Sequence, residues 1–369
     1  MKTVIGVVGG GQLARMMIPA AQALGVDIRV LAEMPDSSAQ LAATAVGDYQ
    51  DWGTLRSFAS DIDVVTFDHE HVPTDFLHRL VAEGIAVHPG PDALVYAQDK
   101  SLMRERLSEL DVPLPAWRVC DDTLAVTTFV NEHGGQAVAK TPRGGYDGKG
   151  VRVVSHGDEV ADWLADGPVL VEQKVDFVRE VSQMVARRPS GDAVAYPLVE
   201  TIQEGGVCAQ VIAPAPDTSD EQVAEAARIG LLISQSLGVT GMLAVEMFQT
   251  SSGQFLVNEL AMRPHNSGHV FTEGAVTSQF EQHLRAVADW PLGSPDLRHP
   301  WSVMVNLFGD ADNERIRNVL GHSPRVSVHA YGKSARLGRK AGHLVVSGND
   351  LGEVLSLARA AGAIGASSA

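Results

Sequence analysis

The sequence contains few cysteines, few aromatic residues and too little positive charge to balance its acids. Only Cys120 and Cys208 occur in 369 residues, which excludes a disulfide scaffold and a cysteine-based zinc site. Aromatic residues make up 5% and the formal net charge is −16. Nucleic acid and anionic membranes are therefore not expected as partners, since they would meet repulsion and few stacking surfaces. Small anionic substrates would require locally concentrated positive charge.

Long apolar runs are also missing. The uncharged stretch at 229–245 is interrupted by Gly238 and by polar side chains, which predicts a helix end followed by a strand, not a membrane span. The apolar run at 3–8 leads directly into glycines and is typical of a buried first strand, not of a signal peptide. We therefore expect a soluble, cytoplasmic protein.

Length and patterning predict more than one domain. At about 150 residues per domain, the chain is long enough for two or three. Residues 1–98 alternate strand-like and helical patterns, starting with a strand at 3–8, a helix from Gln12 to Leu24 and a strand at 27–32. This alternation predicts an α/β fold with a parallel sheet. A further helix is predicted over 98–110.

The pattern changes in the middle of the chain. Strand-like runs separated by turns dominate residues 116–260, and one of them is predicted as a single strand over 193–199. One long helix interrupts them, and Ser219 with Gln222 would form its capping box. A proline-rich bridge at 291–300 leads to a last segment of mixed strands.

The first glycine-rich segment follows the first predicted strand. Residues 9–14 fit the pattern G-x-G-x-x-A, which allows main-chain amides and a helix N-terminus to approach a phosphate. Glu33 closes the second strand, roughly where a dinucleotide-binding fold keeps its ribose-binding acid. The motif is weak by itself, so an NAD-dependent oxidoreductase and glycines used only for packing both remain open.

A second glycine-rich segment, residues 140–150, lies between two predicted strands. It carries Lys140, Arg143 and Lys149 but lacks the G-x-x-x-x-G-K-[ST] pattern of a Walker loop. Its amides and cations could fold over a polyphosphate. The alternative is a solvated hairpin turn.

Two acids on neighbouring predicted strands indicate a metal site. If Ser252 and Gly253 form a two-residue turn, Glu246 lies opposite Glu259 on one face of the hairpin. Such a pair is destabilising unless a cation lies between the carboxylates, and Mg²⁺ binds one or two carboxylates together with nucleotide phosphates. Asn258 adds a neutral oxygen. A one-residue shift would spoil the pairing, and an exposed acidic hairpin is the alternative.

The loop after this hairpin, residues 261–269, offers a guanidinium, an imidazole and an amide in Arg263, His265 and Asn266. His265 and His269 are four residues apart, but Pro264 and Gly268 make a zinc-binding helix improbable, and an anion-binding loop is the better interpretation. The run at 68–71 invites the same zinc interpretation. We favour a loop at a strand end, with Glu70 as a substrate contact.

A basic segment interrupts the acidic chain near its end. Lys333, Arg336, Arg339 and Lys340 fall within eight residues. Arg339 could bind a phosphate monoester through two parallel hydrogen bonds. The alternative is a solvated basic turn.

Together these segments resemble the 5-(carboxyamino)imidazole ribonucleotide synthetase family of ATP-grasp enzymes. The resemblance covers nearly the whole chain and rests on residues 9–13, 144–150, 258–269 and 338–343. It implies a Rossmann-like domain at 1–98, an ATP-grasp domain with antiparallel sheets at 99–290 (lid subdomain at about 116–178), and a C-terminal domain at 291–369.

The resemblance also implies a reaction. ATP would phosphorylate bicarbonate, and the carboxyphosphate would deliver CO₂ to the exocyclic amine of 5-aminoimidazole ribonucleotide in purine biosynthesis. Mg²⁺, or Mn²⁺ in its place, would be the metal. A homodimer and a functional link to a downstream mutase are expected on the same ground.

Matched positions take roles by this resemblance. ATP would be bound by Lys100, Lys140, Gly145, Tyr146, Asp147, Gly148, Lys149, Gly150, Val151, Glu172, Gln173, Lys174, Val175, Glu180, Gln203, Asn258 and Glu259, with residues 145–151 closing as a lid. The metal would be bound by Glu246 and Glu259. The catalytic set would be Arg263, His265, Asn266, Tyr146, Asp147 and Lys149. The ribonucleotide would contact Gln12, Leu13, Glu70, Arg263, Lys333 and Arg339, with Tyr146 and Asp147 facing its base.

Three positions depart from the family pattern. Gln203 stands where many relatives have a histidine, the segment 66–71 differs from the commoner sequence Tyr-Glu-Phe-Glu-Asn, and Lys149 replaces an arginine. A related ligase, such as a formate-dependent glycinamide ribonucleotide transformylase, is the alternative enzyme. The motif at 265–269 argues against it.

Overall fold

Three β-sheets organise residues 2–145 and 150–363, the part of the chain that the computed structural model describes. The first sheet holds five parallel strands in the order β3-β2-β1-β4-β5. Its strands are β1 (Val4–Val8), β2 (Asp27–Ala32), β3 (Ala43–Val46), β4 (Val64–Phe67) and β5 (Ala86–Val87). The helices of this part are α1 (Gln12–Leu24), α2 (Trp52–Ala59), α3 (Thr74–Ala82), α4 (Pro91–Gln98) and α5 (Lys100–Glu109).

The predicted helices at 12–24 and 98–110 are both confirmed, the second with slightly shorter bounds. α1 has the predicted bounds and ends at Gly25, whose φ of 72° is the left-handed conformation that glycine adopts without strain. The second predicted helix corresponds to α5, which begins two residues later and ends one residue earlier, whereas α4 was not predicted. Asp99 separates them because its backbone is extended and its side chain caps α5.

The second sheet is antiparallel and has four strands within the described residues, in the order β6-β9-β7-β8. Its strands are β6 (Trp117–Cys120), β7 (Ala137–Lys140), β8 (Val151–Val154) and β9 (Val169–Gln173), accompanied by α6 (Thr123–Glu132) and α7 (Ala161–Leu164). β7 and β8 flank the second glycine-rich segment, as predicted.

The third sheet is antiparallel and contains nine strands among the described residues, in the order β15-β14-β10-β12-β13-β16-β18-β17, with β11 paired to β10. Its strands are β10 (Phe177–Arg187), β11 (Ala193–Ala195), β12 (Val199–Glu204), β13 (Val207–Ala213), β14 (Gly241–Thr250), β15 (Phe255–Ala261), β16 (Trp301–Gly309), β17 (Val326–Ala330) and β18 (Arg336–Gly348). The helices packed with it are α8 (Asp220–Ser236), α9 (Phe271–Gly274), α10 (Gln279–Val287), α11 (Asn313–His322) and α12 (Leu351–Gly362).

This sheet confirms the α/β class with antiparallel pairing after the first domain, and it corrects one strand. The single strand expected at 193–199 is wrong, since β11 and β12 are separate and β13 follows them. The capping box at Ser219 is confirmed, with Gln222 in the predicted position. The strands after 300 extend the same sheet, because β16 pairs with β13. The domain boundaries stay a prediction.

The hairpin of β14 and β15 brings Glu246 opposite Glu259, as predicted, but by a different route. Thr250 pairs with Gln254, so the turn has three residues where two were predicted. Between Val257 and Glu259 the register then shifts at a β-bulge on Asn258. The longer turn and the bulge each displace the register by one residue, and the two displacements cancel.

The described residues contain no helix that is both long and apolar enough to cross a membrane.

His283 connects the first sheet to the third. Its Nε2 lies 2.8 Å from Thr66 Oγ1 on β4, and its Nδ1 accepts a hydrogen bond from the main-chain N–H of Met242 on β14, at 3.0 Å. The side chain is fully buried. Burial lowers the pKa of His283 to about 3, with a smaller contribution from the charge of His88.

We expect His283 to make the protein sensitive to acid. The unfolded chain takes up a proton near pH 6.5 and the folded chain only near 3, so this residue's contribution to stability is lost as the pH falls between those values, at up to about 1.4 kcal/mol per pH unit. Denaturant unfolding of His283→Gln should show a shallower loss of stability between pH 7 and 5 than the unaltered chain. Equal slopes would contradict the assignment; His78→Gln, at an exposed position, is the control.

Candidate active site

A cavity of about 1070 Å³ lies where the three sheets approach one another. It is bounded by the loop after β4, the start of α5, the strands β7 to β10, the β12–β13 hairpin, the β14–β15 hairpin and the loop after β15. The predicted site residues that line it are Glu70, Lys100, Lys140, Gly145, Val151, Glu172, Gln173, Lys174, Val175, Glu180, Gln203, Glu246, Asn258, Glu259, Arg263, His265 and Asn266. Residues that are far apart in sequence therefore meet at one cavity.

Other predicted site residues lie elsewhere. Tyr146, Asp147, Gly148 and Lys149 fall outside the described residues. Those that do not line the cavity are Gly150, Gln12, Leu13, Lys333 and Arg339.

Lys140 is held by a buried carboxylate and the bulge residue. Its Nζ lies 2.7 Å from Glu172 Oε2 and donates to Asn258 Oδ1 at 2.9 Å. The other oxygen of Glu172 accepts from Nε of Arg104, at 2.7 Å. Burial alone would raise the pKa of Glu172, but the charges of Arg104 and Lys140 outweigh it and hold that pKa below its ordinary value. Glu172 is thus an ionised partner of two cations.

Lys100 and the base of the glycine-rich segment are tied together. The ammonium of Lys100 donates to the main-chain oxygen of Gly144 at 3.1 Å, and Arg143 Nε donates to Asp99 Oδ2 at 2.9 Å. The start of α5 therefore lies beside the segment expected to cover a nucleotide.

Glu246 on β14 and Glu259 on β15 lie opposite each other and both line the cavity. Burial, and then the charges of Glu259 and Glu180, raise the pKa of Glu246 to about 8, against the opposing charges of Lys340 and Arg263. This repulsion marks a place for a cation, and hard oxygen donors suit Mg²⁺. No cluster of three His, Cys, Asp or Glu side chains that could hold a metal ion occurs in residues 2–145 and 150–363, so a cation on this pair would need other oxygens, from Asn258, phosphate and water, as further ligands.

The loop after β15 places Arg263 and His265 beside this pair. Arg263 Nε donates to Glu70 Oε2 at 2.8 Å, and the other oxygen of Glu70 accepts from the main-chain N–H of Met262 at 2.9 Å. Both oxygens of Glu70 are thus engaged in orienting Arg263. Its role as a substrate contact stays a prediction.

His265 contacts Ser267 through one ring nitrogen and Glu246 through the other. Its Nδ1 lies 2.8 Å from Ser267 Oγ and accepts from the Ser267 N–H, so its proton is on Nε2, 3.3 Å from Glu246 Oε1. Burial and the charges of Arg263 and Lys340 hold the pKa of His265 well below its ordinary value, so the imidazole is neutral. His269 does not share this site: its ring stacks on His343 and meets Gln279.

The first glycine-rich turn is occupied by the protein's own carboxylates. The N–H of Gly10 donates to Glu33 Oε2 at 3.0 Å, and the N–H of Ala14 donates to Asp68 Oδ1 at 2.7 Å. A hydrogen bond from His69 holds the pKa of Glu33 near 2, although burial opposes it. A dinucleotide phosphate would meet two acids here, so the geometry does not support the NAD alternative.

The predicted ribonucleotide contacts are only partly brought together. Lys333 Nζ donates to Gln12 Oε1, joining residues 321 positions apart. Arg339 instead donates to Ser334 Oγ at 3.1 Å. Leu13 is 5% exposed and its side chain packs in the core of the first domain, so its predicted contact with the ribonucleotide would come from its main chain.

Several residues around the site were missed by the sequence analysis. Lys340 lines the cavity, Asn306 pairs its amide with that of Asn266, and the amide of Gln279 bonds both the N–H and the C=O of His265. The buried Arg104, which bonds Glu172, was missed as well. Lys340 belongs to the basic segment noted in the sequence, but the other three lie inside regular strands and helices, where the pattern indicates packing and carries no signal of a site.

Three family models match the chain. A ribonucleotide synthetase preATP-grasp domain matches residues 1–98, an ATP-grasp domain matches 105–280, and a phosphoribosylaminoimidazole carboxylase C-terminal domain matches 302–357.

Relatives extend the similarity over the whole chain. The N5-carboxyaminoimidazole ribonucleotide synthase of Mycobacterium tuberculosis is 47% identical, over 97% of this chain and 86% of that protein. The N5-carboxyaminoimidazole ribonucleotide synthetase of Thermus thermophilus has a TM-score of 0.91 at 34% identity, covering 99% of each chain. The Aspergillus clavatus enzyme, solved with ADP and 5-aminoimidazole ribonucleotide, has a TM-score of 0.88 at 28% identity, over 98% of this chain and 97% of that one.

Fold and site define an ATP-grasp enzyme, an ATP-dependent ligase that forms a carbon–nitrogen bond. Within that class, the chain belongs to the N5-carboxyaminoimidazole ribonucleotide synthase family. The family resemblance and the ATP-grasp architecture expected from the sequence are confirmed.

We expect Glu246→Gln and Glu259→Gln to fold normally but to lose their response to nucleotide and metal. Each change removes repulsion within the pair, so the empty protein should be at least as stable as the unaltered chain. For Glu246→Gln the gain should grow as the pH rises from about 5 to 8, because the unaltered Glu246 ionises near 8 and an unfolded glutamate near 4.5. Denaturant unfolding at several pH values tests this.

Thermal shifts with ADP and Mg²⁺ test the metal assignment in the same variants. The shift should shrink strongly in both, while Glu221→Gln, an exposed position on α8, should keep it. Full shifts in both site variants would contradict the assignment.

Proposed function

We propose that this protein carboxylates 5-aminoimidazole ribonucleotide with bicarbonate, at the expense of ATP, to give 5-(carboxyamino)imidazole ribonucleotide, ADP and phosphate. The observation that supports this most directly is the single cavity shared by the cations Lys100 and Lys140, the acid pair Glu246 and Glu259, and the loop carrying Arg263 and His265. Groups suited to bind phosphate, a metal ion and a small anion thus line one cavity, and a phosphoryl transfer needs all three together.

In the first step a bicarbonate oxygen attacks the γ-phosphorus of ATP. The bond between that phosphorus and the β–γ bridging oxygen breaks, and ADP leaves with carboxyphosphate formed. Lys100 and Lys140 would hold the phosphates, and Arg263, His265 and Asn266 would hold the bicarbonate. Because His265 is neutral with its proton on Nε2, it can donate a hydrogen bond to an anion without a proton transfer.

Glu246, Glu259 and Asn258 would hold Mg²⁺ together with the phosphate oxygens. Bound there, the ion would neutralise charge on the phosphoryl group that is transferred. Mn²⁺ fits the same oxygen ligands.

In the second step carboxyphosphate breaks down to CO₂ and phosphate, and the exocyclic amine of the ribonucleotide attacks the carbon of CO₂. The new C–N bond forms and the amine proton passes to the departing phosphate. Glu70 holds Arg263 at this end of the cavity, and Gln12 with Lys333 marks a position for the ribose phosphate. Tyr146 and Asp147 are proposed to face the base.

Three further expectations belong to this proposal: the domain division at 98 and 290, a homodimer, and hand-over of the product to a mutase in the cytoplasm. Size measurement in solution would test the homodimer.

Release of ADP, measured with each substrate omitted in turn, tests the reaction. Strong stimulation should require both bicarbonate and 5-aminoimidazole ribonucleotide. If glycinamide ribonucleotide with formate stimulated the enzyme instead, the related transformylase would replace this proposal.

Arg339→Ala should raise the KM for the ribonucleotide by about ten- to hundredfold, the worth of a charge-assisted hydrogen bond, and Lys333→Ala should do so more mildly. The KM for ATP should hardly change. Steady-state kinetics with each substrate varied tests this, with the exposed Arg336→Ala as the control. A raised KM for ATP alone would reverse the two anion assignments.

A further inference from the structure

Arg104 is a fully buried cation that no part of the proposed reaction uses. It lies on α5, and its side chain is 0% exposed. Its guanidinium donates three hydrogen bonds to residues of β9 and β15. Nε donates to Glu172 Oε1 at 2.7 Å, Nη1 to the main-chain oxygen of Val257 at 3.1 Å, and Nη2 to that of Asn258 at 2.7 Å. The planar guanidinium suits three fixed acceptors better than an ammonium does.

The charges of this cluster do not cancel. Two cations, Arg104 and Lys140, share one carboxylate, Glu172, and each takes one of its oxygens at 2.7 Å. The cluster therefore carries a net charge of about +1, and of its two cations only Lys140 lines the cavity. Without Arg104, Glu172 would neutralise Lys140 and leave little charge to attract a phosphate.

The other two contacts of Arg104 fall on the β-bulge. A bulge leaves main-chain groups without their ladder partners, and the oxygens of Val257 and Asn258 find theirs in Arg104. The bulge is also what keeps Glu259 opposite Glu246 after the three-residue turn. Arg104 thus acts on the acid pair through the backbone of β15.

We propose that Arg104 is a positioning residue that serves both the nucleotide and the metal. Arg104 binds one of the two carboxylate oxygens of Glu172, so that the charge of Lys140 stays available to phosphate. It also holds in place the bulge that aligns Glu259 with Glu246. The proposal rests on the assigned roles of Lys140 and of the acid pair. It differs from a merely structural ion pair because it predicts losses of two separate kinds of binding.

The first test is ADP binding without metal, measured by calorimetry in EDTA. Arg104→Met should weaken it by about ten- to hundredfold, the range expected for loss of one charge-assisted contact. The double variant Arg104→Met with Glu172→Gln should recover most of the loss, because Lys140 is again uncompensated. A structural role alone would make the double variant no better than the single one.

The second test is Mn²⁺ binding in the presence of ADP, followed by electron paramagnetic resonance. Arg104→Met and the double variant should both bind Mn²⁺ more weakly, since neither holds the carbonyls of the bulge. Arg106→Met, a partly exposed position on the same helix that pairs with Glu109, is the matched control and should behave as the unaltered chain. In steady-state kinetics, Arg104→Met should raise the KM for ATP and leave the KM for the ribonucleotide unchanged.

If Arg104→Met does not fold, the variant Arg104→Lys tests the same proposal. It keeps the charge with a shorter reach, so metal-free ADP binding should stay within a few-fold of normal while Mn²⁺ binding weakens. Normal ADP and Mn²⁺ binding in Arg104→Met, or weakened metal-free ADP binding in Arg104→Lys, would overturn the inference. If the unaltered chain bound no ADP, the proposed function would fail together with it.

Discussion

The antiparallel pairing of β14 and β15 holds Glu246 and Glu259 face to face, and much of the site follows from this constraint. Backbone hydrogen bonds set the separation, so the two carboxylates cannot relax by moving apart. The surrounding cations come from separate elements: Arg104 from α5, Lys140 from β7 and Lys340 from β18. A divalent ion with phosphates completes a charge arrangement that the protein alone leaves unbalanced.

The sequence predicted best the features that depend on local chemistry. A few neighbouring residues are enough to determine each of three such features: the bounds of α1, the left-handed glycine that ends it, and the capping box at Ser219. The chemistry of the acid pair was also legible, because two glutamates flanked by apolar side chains on a predicted hairpin have few structural uses. Their opposition was predicted correctly although the turn was wrong, since the bulge at Asn258 restored the register.

Features that depend on distant parts of the chain were not predictable in this way. β12 and β13 were not resolved by pattern, because polar residues such as Gln203 and Gln210 face partly buried surroundings and break the apolar alternation. Arg104 looks like any charged residue of an exposed helix, and its buried partners lie 68 and more positions away. The contact of Gln12 with Lys333 joins opposite ends of the chain, and only the resemblance to a family placed them in one site.

The third sheet runs without a break from the acid pair to the basic segment. β16 is hydrogen-bonded on one side to β13 and on the other to β18, so the strands after residue 300 are structurally part of the layer that holds the metal carboxylates. A C-terminal segment built in this way is not a separable module. Exchange of this segment between ligases by recombination would break a continuous ladder of hydrogen bonds. Changes of substrate in such a fold have to arise by substitution within the sheet and its loops, not by shuffling of domains.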